Sequence, residues 1–548
     1  MSADRPHVTV IVNAHREGLL AHRSVRSAQR CFEHAAERGI RCELVAILDR
    51  PDTATVEYFW EKRSQFAVVE ETDFGDPGLA RNRGAEFARG DWIAFLDADD
   101  LFSRGWLTKA HATATGCGKA VVVHPEYNIW FVGETWLVPQ VAWPSGEWSA
   151  LDMLQQNPWS TLCFCPRELV AREVPFSATD EANGFGYEDW HWHCQTMARH
   201  IPHLVASETV HFIRRKESGS RLRGHQTGGC VIRPTRLFDD DTAELWGNDS
   251  PSTAGGDLRR NLGLLAKARG ILYRAAERVP PQTREAALAV LGEMRRAVRP
   301  APQVSAWLRE EWQAINTIEP QFYPSRAAIG TSRLWRTPRS ALGRHFPRIS
   351  QLFGPTADHV FLWPSLKHAD AHFVAVRHLR SVAEEHADAK IVCVVTESAE
   401  DAARSQLPDH VRVVELGQEL RDFPRHEQTT LLARLLLQKH PKVIQLIDSP
   451  KGYELFTRYG KQLASQSQLF VALFGANFDA AGQAIGCIVD QFPKCVGVIS
   501  RILCDDRRTV DFLQTTYGVS DDKCRMIDNP SSMPDIRAGG LNATAGAE

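Results

Sequence analysis

Short apolar runs that end in polar or acidic residues, with helical stretches between them, set the pattern of the first hundred residues. Val8-Thr9-Val10-Ile11-Val12 stops at Asn13-Ala14-His15-Arg16-Glu17, the run over 42–48 stops at Asp49, and 66–69 forms a third. Near-continuous apolar runs of this kind read as strands buried on both faces. Between them, 19–37 reads as a helix. Asp76-Pro77 opens another, with an N-cap side chain and a proline in its first turn, and Gly90 can close it. On that helix Leu79, Phe87 and Ala88 are expected to face the sheet, and Arg81, Asn82 and Arg83 to line the opposite side. Trp92-Ile93-Ala94-Phe95-Leu96 follows at once and ends in Asp97, Asp99 and Asp100. Strands alternating with helices predict a parallel α/β sheet.

Further along, 121–123 reads as a strand, and 128–131 with 135–138 as a hairpin around Gly133. Glu188-Asp189 opens a helix running to about 199, and 205–213 is a strand that leads into Arg214-Arg215-Lys216. A Gly- and Arg-rich stretch over 215–255 reads as a loop, 256–318 as helical, and 320–355 as a linker. A second α/β pattern begins near 358, with strands expected at 360–363, 390–395, 411–416, 442–447, 469–474, 496–500 and 524–527. The division expected is 1–240, a first α/β domain; 241–355, a helical connector and linker; 356–535, a second α/β domain; and 536–548, a Gly/Ala-rich tail.

Composition narrows the function classes. A net charge of −3 argues against a nucleic-acid binder, which needs a basic surplus. The 12 cysteines are scattered without a CxxC pair, and so read as reduced, mostly buried thiols. The first residues carry no apolar signal core, and no run is long enough to span a bilayer. A cytoplasmic protein is expected, with docking at the inner face of a membrane left open.

Asp97, Asp99 and Asp100 at the end of a buried strand put dense negative charge where open α/β sheets bind ligands. Like charges so close call for a cation, and a divalent metal with oxygen ligands is the simplest. His191 and Cys194 fall three positions apart on a helix, but the fourth ligand of a zinc site is unassigned, so packing is the reading there.

The stretch Leu79-Ala80-Arg81-Asn82-Arg83-Gly84, continued by Gly90-Asp91-Trp92-Ile93-Ala94-Phe95-Leu96-Asp97-Ala98-Asp99-Asp100, resembles the core of family 2 glycosyltransferases. With the first strand and its turn, the resemblance covers about residues 7–215. It implies a GT-A fold, a Rossmann-like mixed sheet whose DxD motif binds Mn2+ or Mg2+. By the same resemblance, Asn13, Glu17, Asp49, Arg81, Asn82, Asp97 and Arg215 would contact a nucleoside-diphosphate sugar donor, and the run Arg214-Arg215-Lys216 could cover its diphosphate when a loop closes. Asp97 would touch the ribose or the metal, and Asp99 would bind the metal directly, with His211 as an additional metal ligand. Asp189 would be the general base of an inverting transfer and Glu188 would orient the acceptor. The family's usual DDGSTD is here Leu48-Asp49-Arg50-Pro51-Asp52, so the base is not specified.

Residues 358–533 resemble, more weakly, the Rossmann-like N-terminal half of a GT-B glycosyltransferase, on 441–448, 498–500, 517–519 and 524–530. The reading is therefore a metal-dependent inverting transferase acting on a saccharide, lipid-linked or protein-linked acceptor. A homo-oligomer and peripheral membrane association are left open, and a nucleic-acid partner is not expected. The rivals are a non-catalytic sugar- or nucleotide-binding scaffold and a nucleotidyltransferase.

Overall fold

The computed structural model describes residues 5–146, 148–216, 221–247, 304–320, 332–365, 370–397, 407–475 and 477–527, and they divide into two compact units. The first holds most of the chain up to residue 340, and the second most of the rest.

In the first unit, β1 (Val8–Ala14) pairs in parallel with β2 (Cys42–Asp49) on one side and β4 (Trp92–Asp97) on the other, and β3 (Val68–Thr72) adds outside β2. Beyond β4 the sheet turns mixed. β8 (Phe164–Pro166) pairs with it antiparallel, followed by β6 (Val122–Phe131), β7 (Trp136–Pro139) and β10 (Arg333–Leu334). β9 (His203–Arg214) runs parallel to β6 and antiparallel to the two-residue β5 (Leu101–Phe102). The expected strand at 121–123 and the first arm of the expected hairpin are one long strand, β6.

Alternation along the buried strands feeds two cores. Val8, Val10, Val12, Leu44, Ala46 and Leu48 pack under α1 (Ala21–Ala36), α2 (Thr53–Glu61) and α4 (Trp106–Cys117). Ile11, Val45, Ile47, Ile93 and Phe95 pack on the opposite face, under α3 (Pro77–Phe87) and α5 (Glu188–Ala198). Gly84 lets α3 lie close on the sheet, because a Cβ there would stand 2.3 Å from Ile11 Cγ2. The face of α3 turned inward is Ala80, Arg81, Gly84 and Ala85; Ala88 joins the same core and Phe87 packs against it as expected, whereas Leu79 is half-buried and Arg81, expected on the opposite side, is buried.

The expected connector lies partly outside the described residues. Within them, the helix Ala306–Ile315 packs Leu308, Trp312 and Ile315 against Leu101, Ile129, Phe131, Val210 and Phe212 of the first unit.

The second unit is a wholly parallel seven-stranded sheet. Its strands are β11 (His359–Trp363), β12 (Ile391–Val395), β13 (Arg412–Val414), β14 (Val443–Ile447), β15 (Gln468–Leu473), β16 (Arg501–Cys504) and β17 (Cys524–Met526), ordered β13-β12-β11-β14-β15-β16-β17. This is the doubly wound order, with its switch point between β11 and β14. The expected strand at 496–500 is instead a 3-10 turn, Val496–Val498, with β16 just beyond it. An apolar run that short reports burial and not backbone conformation. Positions 528–530 of the expected hinge motif and the tail at 536–548 lie outside the described residues.

Candidate active site

Parallel register brings the first elements of the site together. Asn13 sits opposite Asp97 across β1 and β4, and the Ala98 N–H donates to the Asn13 carbonyl. Both polar atoms of the Asn13 amide are buried without a hydrogen-bond partner. A buried amide left unpaired is costly, and a ligand group is one way to satisfy it.

Arg81 joins the two acidic motifs. Only 3% exposed, it donates through Nη1 to Glu188 Oε1 (2.9 Å) and through Nη2 to Asp97 Oδ1 (3.2 Å). Carboxylate neighbours hold its charge more firmly than in an ordinary arginine despite burial. Glu188 opens α5 directly after Tyr187, which has a left-handed φ of 57°. Asp189 follows. Its Oδ1 accepts from the Trp190 N–H (2.7 Å), and the Asn157 amide lies 3.5 Å from its other oxygen. Loss of hydration and the neighbouring Glu188 charge raise its carboxyl to about 7, close to where a base at neutral pH is most useful.

The carboxylate turn after β4 is pinned from the other side. Asp99, 12% exposed, pairs with Lys216 Nζ at 2.9 Å, and the same ammonium lies 3.0 Å from Glu17 Oε1. Burial raises the Asp99 carboxyl, with Lys216 opposing the shift and Asp97 and Glu17 adding to it. Asp100 is buried deeper. It accepts from the Arg214 N–H (2.8 Å), and desolvation with the adjoining acids drives its carboxyl well upward.

Other expected residues are engaged differently. Arg215 is exposed, and its main-chain N–H donates to Phe131; strand alternation turns Arg214 and Lys216 toward the acids instead. His211 is fully buried against Phe102 and Trp106, ring centroids 4.9 and 4.4 Å away. Neither ring nitrogen finds a partner, and burial lowers its pKa to about 3. The structure thus brings together Asn13, Glu17, Arg81, Asp97, Asp99, Glu188 and Asp189, but seats His211 in an aromatic pocket. Asp49 accepts from the amides of Phe74, Gly75 and Asp76 at 2.8–3.0 Å, closing the turn after β3. Asn82 clasps the main chain of Phe176 from both ends of its amide, at 2.8 and 2.9 Å.

The histidines near α5 are packed. His193 and His203 lie with His124 around Trp159, all three rings held neutral by burial. Trp192 is buried, its indole N–H on the Val174 carbonyl, and the Trp190 indole donates to Met153.

Among the described residues no three His, Cys, Asp or Glu side chains gather as a metal cluster. Asp97, 33% exposed, and Asp99 nevertheless offer hard oxygen donors, the set a Mg2+- or Mn2+-type ion takes when one or two carboxylates hold it and substrate phosphates supply the rest. One contributor lay outside sequence reasoning altogether. Glu319, at the end of the helix Ala306–Ile315, pairs with Arg23 and Arg214.

At the second unit's switch point the N-terminus of the helix Pro450–Ala464 is already occupied. Glu397 accepts from the Lys451 N–H (3.0 Å), and Ser449 from that of Gly452 (3.0 Å). No described helix in either unit is long and apolar enough to cross a membrane.

Residues 6–174 match the family described as Glycosyl transferase family 2. No curated protein matches the chain. Among solved structures, the S. aureus TarS 1–349 structure with UDP-GlcNAc is 14% identical, covering 62% of this chain and 91% of that one, with a TM-score of 0.31. The mannosyltransferase PcManGT from Pyrobaculum calidifontis, in complex with GDP-Man and Mn2+, is 17% identical, covering 58% and 86%, with a TM-score of 0.31. Against a longer TarS structure the match spans 36% of that chain. Likenesses this slight add nothing to the family match. The matched stretch, 6–174, lies on the Rossmann-like mixed sheet of the N-terminal unit.

Proposed function

We propose, taking the family 2 match as the premise, that this protein is a metal-dependent inverting glycosyltransferase. It moves a sugar from a nucleoside-diphosphate sugar to a saccharide or glycoconjugate acceptor. The observation that carries this reading is Arg81, whose one guanidinium ties the strand-end acid Asp97 to Glu188, beside the carboxylate best suited to remove a proton.

In this reading Asp97 and Asp99 hold Mn2+ or Mg2+ with the donor diphosphate. The ion supplies Lewis-acid neutralisation of charge growing on the leaving group. Asn13 and Glu17 border the donor side, with Lys216 in the role first expected of Arg215. Asp189 takes the acceptor hydroxyl's proton as that oxygen attacks the anomeric carbon from the face opposite the diphosphate. The bond to the diphosphate breaks and its electrons leave with the nucleoside diphosphate. Glu188, held by Arg81, borders the acceptor side.

The second unit is proposed as an acceptor-binding or assembly module, because the helix end at its switch point already holds Glu397. The expected setting is polysaccharide or glycoconjugate assembly on the cytoplasmic side of a membrane.

The test is a screen of sugar nucleotides with Mn2+ or Mg2+, following release of nucleoside diphosphate, beside Asp99→Asn and Asp189→Asn. Full turnover by Asp99→Asn would remove the metal assignment. Donor binding without turnover would favour a scaffold, and release of pyrophosphate a nucleotidyltransferase.

A further inference from the structure

We infer that Glu319 is a positioning residue for the metal-binding turn, contributed by a segment far beyond the family match. The inference rests on the proposed function, since it concerns how Asp99 and Asp100 are held.

Glu319 is 0% exposed, and isolated carboxylates are not left in such places without charge partners. It has two. Arg23 Nη1, from α1, reaches both its oxygens at 2.9 and 2.8 Å, and Arg214 Nη2 pairs with Oε2. Arg214 is the link to the site. Its Nε donates to the Asp99 carbonyl (3.2 Å), its main-chain N–H donates to Asp100 Oδ1 (2.8 Å), and its guanidinium lies 4.6 Å over the Phe131 ring. One arginine thus grips the turn at two consecutive residues, and Glu319 fixes where that arginine sits.

The segment is held in place independently. Leu308, Trp312 and Ile315 bury against β6 and β9, and the Glu319 N–H continues the helical hydrogen bonding onto the Ile315 carbonyl (2.9 Å). Arg30 on α1 adds a bond to the Ala314 carbonyl (2.8 Å). Backbone placement and charge pairing agree: the segment's packing delivers a carboxylate beneath the turn, where the buried Arg214 needs one. Residues that orient metal ligands without touching the metal commonly govern its affinity.

The two arginines supply the discriminating test, because both pair with Glu319 but only Arg214 touches the turn. Full-length Glu319→Gln and Arg23→Gln are titrated calorimetrically with Mn2+ alone, and their melting temperatures recorded. Glu319→Gln is expected to weaken Mn2+ binding about tenfold, the lower end for such supporting residues. Arg23→Gln, removing a half-exposed partner, should leave it within about twofold. Equal losses in both, or none in either, would make the cluster a structural ion pair and overturn the inference. If Glu319→Gln does not fold, Glu319→Asp, one methylene shorter, is expected to bind Mn2+ more weakly than wild type, and unchanged affinity would overturn it. Absence of Mn2+ binding by the wild type overturns the metal reading itself, a result distinct from a wild type that binds and variants that match it.

Discussion

The Lys216 ammonium lies 2.9 Å from Asp99 and 3.0 Å from Glu17, where a divalent cation's charge would also be most stabilised. Cation and ammonium compete for the same oxygens. Lys216→Met is therefore expected to bind Mn2+ more tightly in the absence of nucleotide, by about tenfold if the pair contributes about 1.4 kcal/mol. It should bind nucleoside diphosphate more weakly, having lost a phosphate partner. Calorimetry with each ligand checks both, and weaker Mn2+ binding would sink the competition argument.

Arg81→Gln removes the counter-charge shared by Asp97 and Glu188. Breaking a buried pair strands the remaining charge, so a loss of about 3–5 kcal/mol is expected, with turnover abolished. Thermal or denaturant unfolding measures the first. Arg81→Lys should recover part of the stability, since a single ammonium cannot reach both acids in the same geometry.

As the proposed base, Asp189 would act only when ionised. With its carboxyl raised to about 7, turnover is expected to climb with pH through about 7 and level off above it. The stability sign is opposite. A carboxyl raised in the folded state binds more protons there than in the unfolded chain, so it costs stability as pH rises from about 4 to 7. Asp189→Asn should therefore melt higher than wild type at pH 8 while losing turnover by about 10²–10⁴. A pH–rate profile and melting curves at two pH values check both signs.

Asn82→Ala deletes both bonds to the Phe176 main chain. Leaving those groups unpaired costs about 1–3 kcal/mol. Donor affinity should not change, and a large rise in donor KM without loss of stability would return Asn82 to the donor site.

His211→Phe fills the same aromatic pocket and removes two unpaired buried nitrogens. Mn2+ affinity is expected to be unchanged. A tenfold loss would reinstate His211 as a ligand (about 1.4 kcal/mol).

The strand-end acids and the helix-opening pair were readable because each sits where a buried apolar run or a helix start makes its neighbourhood predictable. Arg81 was readable as part of a motif but not as a buried counter-ion. Apolar periodicity on α3 assigns every arginine to the solvent side, and only the facing carboxylates reverse that. The choice between Arg215 and Lys216 turns on strand alternation carried past the end of β9, a one-residue matter that a run of three basic residues conceals. His211 was expected as a ligand from the resemblance; its pocket is made by Phe102, brought in by sheet pairing, and by Trp106 at the start of α4. Glu319 left no signal, being one acid after an amphipathic helix, and its partners come from α1 and β9.

The Arg81 bridge has a consequence for the order of events. One positive charge serves two acids, so what neutralises Asp97 frees that charge for Glu188 and Asp189, and the reverse. On the proposed roles, filling the donor side would alter the acceptor side before any acceptor arrives. An ordered kinetic scheme, sugar nucleotide first and acceptor second, needs no moving part beyond this guanidinium.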